Sequence, residues 1–545
     1  MSEADKKGMK AGEPTASFAM PMYYHFVPKA IRPWIYLMMA FCFQLSGCIY
    51  LGAMNNMIGQ WGVMREDVQM CLYCTLIGMA VYFPMLFRMK FRFTNKSLLI
   101  GAACVVMVCN LLSTFKMPMP LLWGLCVVCG VAKLQGTFEC ISNIQLWITP
   151  KRDFGVFFPV LHIVLLLSME VAGYLSAWFA FHMHWSYMHH LVMALMLAVI
   201  AIQALLTKPF RAMPKIVPLK GVDWPGWLLW CLLWLQVVWL LNYGDWLDWW
   251  HSPRFRFITG TTLITLALSL VNMRIQAKPY IEPAMWKYHY AIPVILLIGV
   301  VDALFACEHV LEVIYYEEVM HYSDLTTEGL KQWMIVGILA GCGFALLWLG
   351  VLRWKVYKLI SFALLAFCIY TGSFYFLVNA GISITQLIIP TVWHGFSYAV
   401  LSISFMWSLN RIMSFEHFFQ SLSVFNALHM CVGGLIGAAL HARGMKYYMA
   451  DAFARCSGYI DSVYVSARDI SLPHVMDGIV EGFMAQSVKI MFGWTLFGGL
   501  FFAMLMLFWD TPVRRQIKHI PSWSVVGMRM VRGLKKKKRG ADDED

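Results

Sequence analysis

Charged side chains are scarce in this chain. Of its 545 residues, 13% are Asp, Glu, Lys or Arg, whereas 60% are hydrophobic. Soluble domains carry about a quarter charged residues, so this scarcity excludes an ordinary soluble protein and indicates a membrane protein. The charge that is present is biased, with 43 Lys and Arg against 30 Asp and Glu. In a membrane protein such an excess is typical of cytoplasmic loops that face anionic lipid, rather than of a nucleic-acid partner.

Motifs that would indicate other classes of function are missing. The polar N-terminal stretch lacks an apolar core followed by a cleavage site, so we predict no signal peptide. No P-loop is present, which argues against ATP-driven transport by this chain. The cysteines, including the pairs Cys71/Cys74 and Cys126/Cys129, lie mostly in apolar runs and are expected to be buried thiols. The histidine-rich segment 182–190 falls in a predicted turn, and we predict neither a metal nor a cofactor.

Long apolar runs, by contrast, are abundant. Fourteen of them approach the ~20 residues that a transmembrane helix needs. Each is predicted to be helical, because lipid offers the backbone no hydrogen-bonding partner of its own. The predicted spans cover approximately 33–55, 67–87, 97–115, 120–146, 155–180, 187–207, 225–243, 256–274, 291–313, 330–352, 358–378, 384–408, 420–441 and 484–509.

Basic residues alternate between the loops that join these spans. With the N-terminus inside, the inside loops are basic and the outside loops are poor in Lys and Arg, which places both termini in the cytoplasm. The loop near Arg411 is only weakly basic, and the long outside stretch 442–483 carries several basic residues, but long translocated loops are largely exempt from this rule. One outside loop is acidic, with Glu317, Glu318, Asp324 and Glu328. The basic inside positions include Lys29, Arg32, Arg88, Lys90, Arg92, Lys96, Lys151, Arg152, Lys208, Arg211, Arg274, Lys278, Lys287, Arg353, Lys355, Lys358 and Lys535.

The turn between the seventh and eighth spans, LNYGDWLDWWHSPRF, has an unusual sequence. Its three tryptophans suit the membrane interface. The spacing of its other residues resembles a signature of the fourteen-helix drug:proton antiporters of the major facilitator superfamily, the EmrB/QacA type, which carry it in this hairpin. The residues that fill the signature are Leu241, Gly244, Leu247, Asp248, Trp249, Trp250, Ser252 and Pro253.

Weaker matches to the same family follow in the right order along the chain. They are the entry segment 222–226, Gln135 and Gly136 in the fourth span, Gly173, Ser176 and Trp185 around the fifth, and Gly433 and Gly434 in the thirteenth. The chain also departs from the family. Phe87 and Phe91 stand where the family has Gly and Asp, Ala132 replaces an Arg, and the first span holds Gln44, Asn55 and Asn56 but no acid.

The resemblance implies an all-α membrane protein with the major facilitator fold. It would comprise a cytoplasmic segment 1–32, a six-helix bundle 33–207, two inserted helices 208–275 lying at the periphery, a second six-helix bundle 276–515 and a basic tail 516–545. The implied function is proton-coupled efflux of lipophilic or amphipathic molecules from a bacterial inner membrane by alternating access. Members of the family work with a periplasmic membrane-fusion adaptor and an outer-membrane channel.

Two other functions stay open at this stage. The same fold could import a specific solute, such as a siderophore or an organic anion. A membrane-embedded lipid-modifying enzyme is the third possibility, although it would need convergent His or carboxylate groups in a repeated motif, and the sequence shows none.

Ionisable residues inside the predicted spans are the candidate functional residues, because each costs about 2.5–3.5 kcal/mol at bilayer depth. We predict Glu139, Glu170, Asp302 and Glu308 as proton carriers. Structural roles remain the alternative: Glu139 could pair with Lys133 or be capped by Asn143, Glu170 could pack against His162, and Glu312 could be hydrated at the outer end of its helix. The predicted cavity residues are Lys133, Gln135, Asn143, His309, Gln44 and Asn55.

Overall fold

The structure of the chain, a computed structural model, describes residues 23–47, 49–50, 52–149, 153–210, 222–288, 290–379, 381–457 and 472–508. Most of the predicted N-terminal segment, all of the basic tail and part of the stretch 442–483 lie outside these ranges. Within them the secondary structure is helical, apart from one antiparallel bridge between Tyr23 and Thr207.

Eighteen α-helices are described, numbered here in chain order. The first ten are α1 (Arg32–Leu45), α2 (Met54–Trp61), α3 (Arg65–Ala80), α4 (Leu86–Arg92), α5 (Asn95–Ser113), α6 (Met119–Ile148), α7 (Phe154–His182), α8 (Tyr187–Leu206), α9 (Trp224–Tyr243) and α10 (Pro253–Ile275). The remaining eight are α11 (Ala291–Phe305), α12 (Asp324–Lys331), α13 (Met334–Ala345), α14 (Val356–Leu377), α15 (Ile388–Ile412), α16 (Phe415–Ala427), α17 (Gly433–Ser457) and α18 (Leu472–Phe508).

Thirteen helical segments within the described ranges are long and apolar enough to cross a membrane. They coincide with the second to the fourteenth predicted spans. The first predicted span, 33–55, is instead a broken helix, in which α1 has 14 residues and is separated from the 8 residues of α2. The total of fourteen spans therefore stays a prediction.

The break between α1 and α2 is stabilised by α7. The Ser176 hydroxyl donates a hydrogen bond to the carbonyl of Ile49 at 2.6 Å, so an irregular carbonyl is satisfied inside the protein. Gly52 packs directly on the α7 backbone, where any side chain would collide with the carbonyl of Gly173. The predicted motif residues Gly173 and Ser176 thus support a non-helical turn of the first span.

Chain order divides the helices into an N-terminal half, α1 to α8, and a C-terminal half, α11 to α18, and α7 packs against helices of both. In the first half α6 packs against α1, α3 and α5, and α5 packs against α8. In the second half α15 packs against α13 and α14, α14 packs against α18, and α11 packs against α17. Helices α9 and α10 pack on each other, and α9 also contacts α3 and α17. The domain boundaries stated above remain predictions.

We name the two ends of the helix bundle by the charge of their loops. The acidic face is the end that carries Glu66, Asp67, Asp245, Glu318 and Asp324. The basic face is the opposite end, which carries Arg88, Lys90, Lys96, Lys208 and Arg353.

The hairpin between α9 and α10 lies on the surface of the acidic face. Trp246 and Trp250 are exposed. The ring of Trp249 packs on Gly244, where an added Cβ would approach it to 2.7 Å. Asp248 and Trp249 adopt the left-handed backbone conformation, with φ of 53° and 49°, which is unusual for residues other than glycine. Lys446 of α17 donates to the Asp245 carboxylate at 2.6 Å. The family-like signature therefore builds a tight, strained turn that is tied to α17.

Candidate functional site

Four carboxyl groups and one lysine lie together where α7 meets the C-terminal half. The Lys331 ammonium at the end of α12 is 2.9 Å from the Glu328 carboxylate. Lys331 also interacts electrostatically with Glu308 and with Glu170 of α7. Glu170 in turn interacts with Glu308 and Glu328, and Glu308 interacts with Glu312. We call Glu170, Glu308, Glu312, Glu328 and Lys331 the carboxylate cluster.

Aromatic and imidazole groups enclose one side of this cluster. His394 of α15 is buried, and its Nε2 lies 3.4 Å from a Glu308 oxygen without making a hydrogen bond. The imidazole stacks on the ring of Tyr370, with centroids 4.5 Å apart, and on Phe305 at 5.5 Å. The Tyr370 hydroxyl donates a hydrogen bond to Glu312. His394 and Tyr370 therefore connect α14 and α15 to the acids of the cluster.

Two of the acids lie in a π-helical turn. The span that begins with α11 continues through π-helical turns at Glu308–Glu312 and Tyr315–Val319, and further such turns lie at Leu346–Val351 and Leu428–Val432. A π-helical turn adds a residue to the helix, so the side chains that follow rotate to another face, and such turns are frequent at functional sites. Glu312, which could have been hydrated at the end of its helix, is instead buried.

The cluster carries more potential negative charge than positive charge. If all four acids were ionised and the imidazoles neutral, four negative charges would face the one positive charge of Lys331, a net charge of −3. Close carboxylates in a low-dielectric interior do not all ionise cheaply. The arrangement can therefore hold protons or a cationic group, and its charge changes when water reaches it.

Glycine 173 lets this cluster span the two halves. An added Cβ at Gly173 would lie 2.7 Å from a Glu328 oxygen, so a larger residue there would displace the Glu328 carboxylate. Gln332 donates a hydrogen bond to the carbonyl of Glu170 at 2.9 Å, and Asn55 donates to Asp324 at 3.0 Å. The N-terminal and C-terminal halves are therefore in contact near the acidic face.

The predicted proton carrier Glu139 lies outside the cluster. Its carboxylate is 3.5 Å from the ammonium of Lys90 at the end of α4, a basic partner that the sequence did not single out. Six residues on one helix place Lys133 and Glu139 on different faces, because each residue advances the helix by about 100°. Lys90 also hydrogen-bonds Ser142. Asn143 donates to the backbone carbonyl of Glu139 at 2.8 Å rather than to its carboxylate.

The predicted cavity residues are dispersed rather than gathered at one site. Gln135 accepts a hydrogen bond from the Tyr82 hydroxyl at 3.0 Å, and Gln44 donates to Thr137 at 2.9 Å. Lys133 is buried, and its ammonium lies so close to Gly47 that any side chain at residue 47 would collide with it. His309 is exposed but close enough to Glu308 to interact electrostatically.

Asp302, a further predicted proton carrier, pairs with a residue that the sequence did not single out. Its two carboxylate oxygens lie 2.8 Å and 3.0 Å from Nδ1 of His429, in the π-helical turn that precedes α17. An added Cβ at Gly433 would approach the Asp302 Cβ to 2.8 Å, so this glycine brings the two helices together. At Gly434 an added Cβ would meet nothing within 4 Å.

Four phenylalanines connect the two halves at the basic face. The ring centroid of Phe87 lies 5.1 Å from that of Phe138 in the same half. It lies 4.9 Å and 4.5 Å from those of Phe415 and Phe419 across the interface. We call these four residues the aromatic latch. Lys90 lies over the Phe138 ring at 5.5 Å. Near the same face, Arg353 is 3.4 Å from Asp153 at the start of α7. The halves are thus in contact at both faces.

The cysteine and histidine clusters offer no metal site in the described part of the chain. Cys71, Cys74, Cys126 and Cys129 are free, buried thiols. No group of three or more His, Cys, Asp or Glu side chains within the described ranges is arranged to hold a metal ion.

Comparison with known proteins shows the fold. No protein-family model matches the chain, and no curated protein matches its sequence. A peptide transporter, POT, solved in complex with alafosfalin, has a TM-score of 0.54 at 12% identity, covering 93% of this chain and 99% of its own. The nucleoside transporter NupG has a TM-score of 0.50 at 11% identity, covering 88% of this chain and 99% of its own. The predicted major facilitator fold is confirmed, whereas the comparisons do not support the EmrB/QacA group in particular.

Proposed function

We propose that the protein is a secondary transporter that couples the movement of a small solute to protons by alternating access. The observation that carries this proposal is the carboxylate cluster, because its acids lie on both sides of the interface between the halves. Glu170 belongs to α7 of the first half, whereas Glu308, Glu312 and Glu328 belong to the second. A group of this kind responds to the separation of the halves, which is the motion that alternating access requires.

The charge of the carboxylate cluster determines which arrangement of the two halves protonation favours. With protons bound, Glu170 no longer repels Glu308 and Glu328, so the halves stay together. When the protons leave the cluster, the acids ionise, their repulsion grows, and the separated arrangement is favoured. Lys331 limits this repulsion, since its ammonium interacts with acids of both halves. Protonation therefore favours the closed arrangement seen here, and deprotonation favours opening.

For the transported solute we propose a lipophilic or amphipathic cation, which the protein would export. This rests on the resemblance to drug:proton antiporters and on the acidic surplus of the cluster, which attracts cations and repels the organic anions of the alternative hypothesis. Import is the second candidate. The similarity in fold to a peptide transporter and a nucleoside transporter is compatible with it. A lipid-modifying activity is not proposed.

Purified protein in liposomes tests this function. Under an imposed pH gradient, we expect the protein to move ethidium, a lipophilic cation, faster than protein-free liposomes do. A dipeptide and a nucleoside serve as parallel probes. Gradient-driven movement of either of these without movement of ethidium would replace drug export by the second candidate. If no probe responded to the pH gradient, proton coupling of these solute classes would be wrong.

We also propose that the basic face is cytoplasmic and that the host membrane is a bacterial inner membrane. Only the alternation of basic loops supports this orientation. A reporter fused to the C-terminus should be active if it functions in the cytoplasm and inactive if it requires the periplasm. The reverse pattern would invert the orientation.

A periplasmic adaptor with an outer-membrane channel remains a proposal from the family resemblance. The helical segment His417–Arg455 has 39 residues, which corresponds to about 58 Å of helix, roughly twice the ~30 Å hydrocarbon core. Its α17 end therefore projects beyond the acidic face, where an adaptor could bind. Purification from native membranes without a co-purifying adaptor would contradict this assignment.

A further inference from the structure

Asp302 and His429 form a second buried ionisable pair that the carboxylate cluster does not include. Both Asp302 oxygens face the same imidazole nitrogen, at 2.8 Å and 3.0 Å. The Asp302 side chain is 6% exposed and the His429 side chain is 10% exposed, so water contributes little to either group. A carboxylate and an imidazole that share one proton are neutral as a pair, which is the arrangement with the lowest cost in a membrane interior.

The pair lies at the interface between the two halves. Its helix α11 packs against the turn Leu428–Val432, which also packs against α3 of the N-terminal half. His162, on α7 of the N-terminal half, is buried and interacts electrostatically with His429. Tyr398 stacks on His429 with centroids 6.1 Å apart. A movement of α3 or α7 relative to the second half would therefore change the surroundings of the pair.

Depth in the membrane distinguishes this pair from the cluster. Helix α11 begins after the loop at the basic face, and its span ends at the acidic face. Asp302 precedes Glu308 by six residues, or about 9 Å of helix rise, so it lies closer to the basic face. Each of the two acids has its own histidine, His429 for Asp302 and His394 for Glu308. The molecule thus contains two carboxylate–imidazole pairs at two depths.

We propose that Asp302 and His429 form a second proton-carrying site, which releases its proton to water at the basic face. This inference rests on the proposed function. In the occluded state the pair holds one proton and is neutral. When the basic face opens, that proton passes to water there, which leaves a net charge of −1, and the pair takes up another proton from water that enters through the acidic face later in the cycle. Transport would then move one proton more per cycle than the carboxylate cluster alone could carry.

The ionisable surroundings of the pair are compatible with this exchange. The other ionisable groups around it are His162 of α7, Tyr398 of α15, Cys431 and His441 of the thirteenth span, and Tyr73, Cys74 and Cys231, which interact with Cys431 from α3 and α9. None of these side chains carries a permanent charge at neutral pH. The protonation of the pair is therefore set mainly by its own two members and by the approach of water.

Infrared difference spectroscopy tests the proposal with reconstituted protein and no solute. Ordinary Asp side chains are ionised throughout the range from about pH 5 to about pH 9, so a carboxyl band that changes in this range reports a buried acid. We expect wild type to show such bands from Asp302 and from the glutamates of the carboxylate cluster. Asp302→Asn should remove the aspartate band and leave the glutamate bands, and Glu308→Gln should change the glutamate bands and leave the aspartate band. His429→Gln should shift the Asp302 band alone.

Isotope labelling keeps the test independent of whether the variants fold. In wild-type protein with carboxyl-labelled Asp, one titrating band should shift on labelling, because it belongs to an aspartate. If no labelled band changed over this range, Asp302 would be a static structural partner and the proposal would be overturned. A titrating Asp band in wild type without any titrating band from the cluster glutamates would instead contradict the proposed role of the cluster, so the two failures are distinguishable.

Discussion

Glu308→Gln is expected to abolish solute transport driven by a pH gradient while leaving solute exchange intact. The amide keeps the shape of the side chain but can neither bind nor release a proton. Exchange at equal pH on both sides needs no net proton movement, so a variant that folds should still exchange the probe that wild type transports. Liposome flux with and without a pH gradient measures both quantities on the same preparation.

The matched control for this variant is Glu318→Gln. Glu318 follows in the same span but is exposed, so its replacement should leave both fluxes close to wild type. Glu170→Gln should behave like Glu308→Gln, since Glu170 supplies the contact from the other half. Normal gradient-driven flux in both cluster variants would show that the cluster does not carry the coupled proton.

Lys331→Met is expected to destabilise the protein by about 3–5 kcal/mol at alkaline pH, the usual cost of removing one partner from a buried ion pair. Both members of the Lys331–Glu328 pair are well buried, with side chains 15% and 10% exposed. Without the ammonium, the four neighbouring acids have no permanent countercharge, and only bound protons relieve their repulsion. The loss of stability should therefore shrink as the pH falls. Thermal unfolding in nanodiscs over a pH series measures it.

The double variant Lys331→Met/Glu328→Gln separates this explanation from a packing defect. Removing the acid together with its partner should restore much of the lost stability, and the double-mutant cycle gives the coupling energy. Lys446→Met is the control, because its pair with Asp245 is exposed and should be worth at most about 1 kcal/mol. Equal losses in the single and double Lys331 variants would mean that packing, not charge, explains the effect.

The fold could be predicted from the sequence because the apolar runs of the chain are long and continuous. Thirteen of the fourteen predicted spans correspond to apolar helices. The break after α1 was missed, since the turn is stabilised by Ser176, which is 127 residues away from Ile49 in the chain. The tenth span was predicted to begin at 330, whereas α12 begins at Asp324. Glu328 was therefore assigned to an outside loop, although it is buried in the carboxylate cluster.

The sequence identified the acids of the candidate site but not their partners, for a related reason. An acid inside an apolar run stands out, which identified Glu170, Asp302 and Glu308. Their partners do not stand out, because a histidine in a span is often a packed core residue. His429 lies 127 residues from Asp302, and Lys90 lies 49 residues from Glu139. Such pairings depend on how the helices pack, and the spacing of residues within one helix carries no information about them.

The aromatic latch makes the basic face respond to temperature and solvent in an unusual way. Hydrophobic contacts among phenylalanines weaken on cooling and are strengthened by sulfate-type salts. Salt bridges between exposed loops behave differently, because they are screened at about 1 M salt, where the Debye length is about 3 Å. The four latch residues are apolar, and Phe87 stands where the resembling family has a glycine. Apart from the effect of screening on the exposed Arg353–Asp153 pair, opening of this face should therefore depend little on sodium chloride, and it should be easier in the cold and harder in ammonium sulfate.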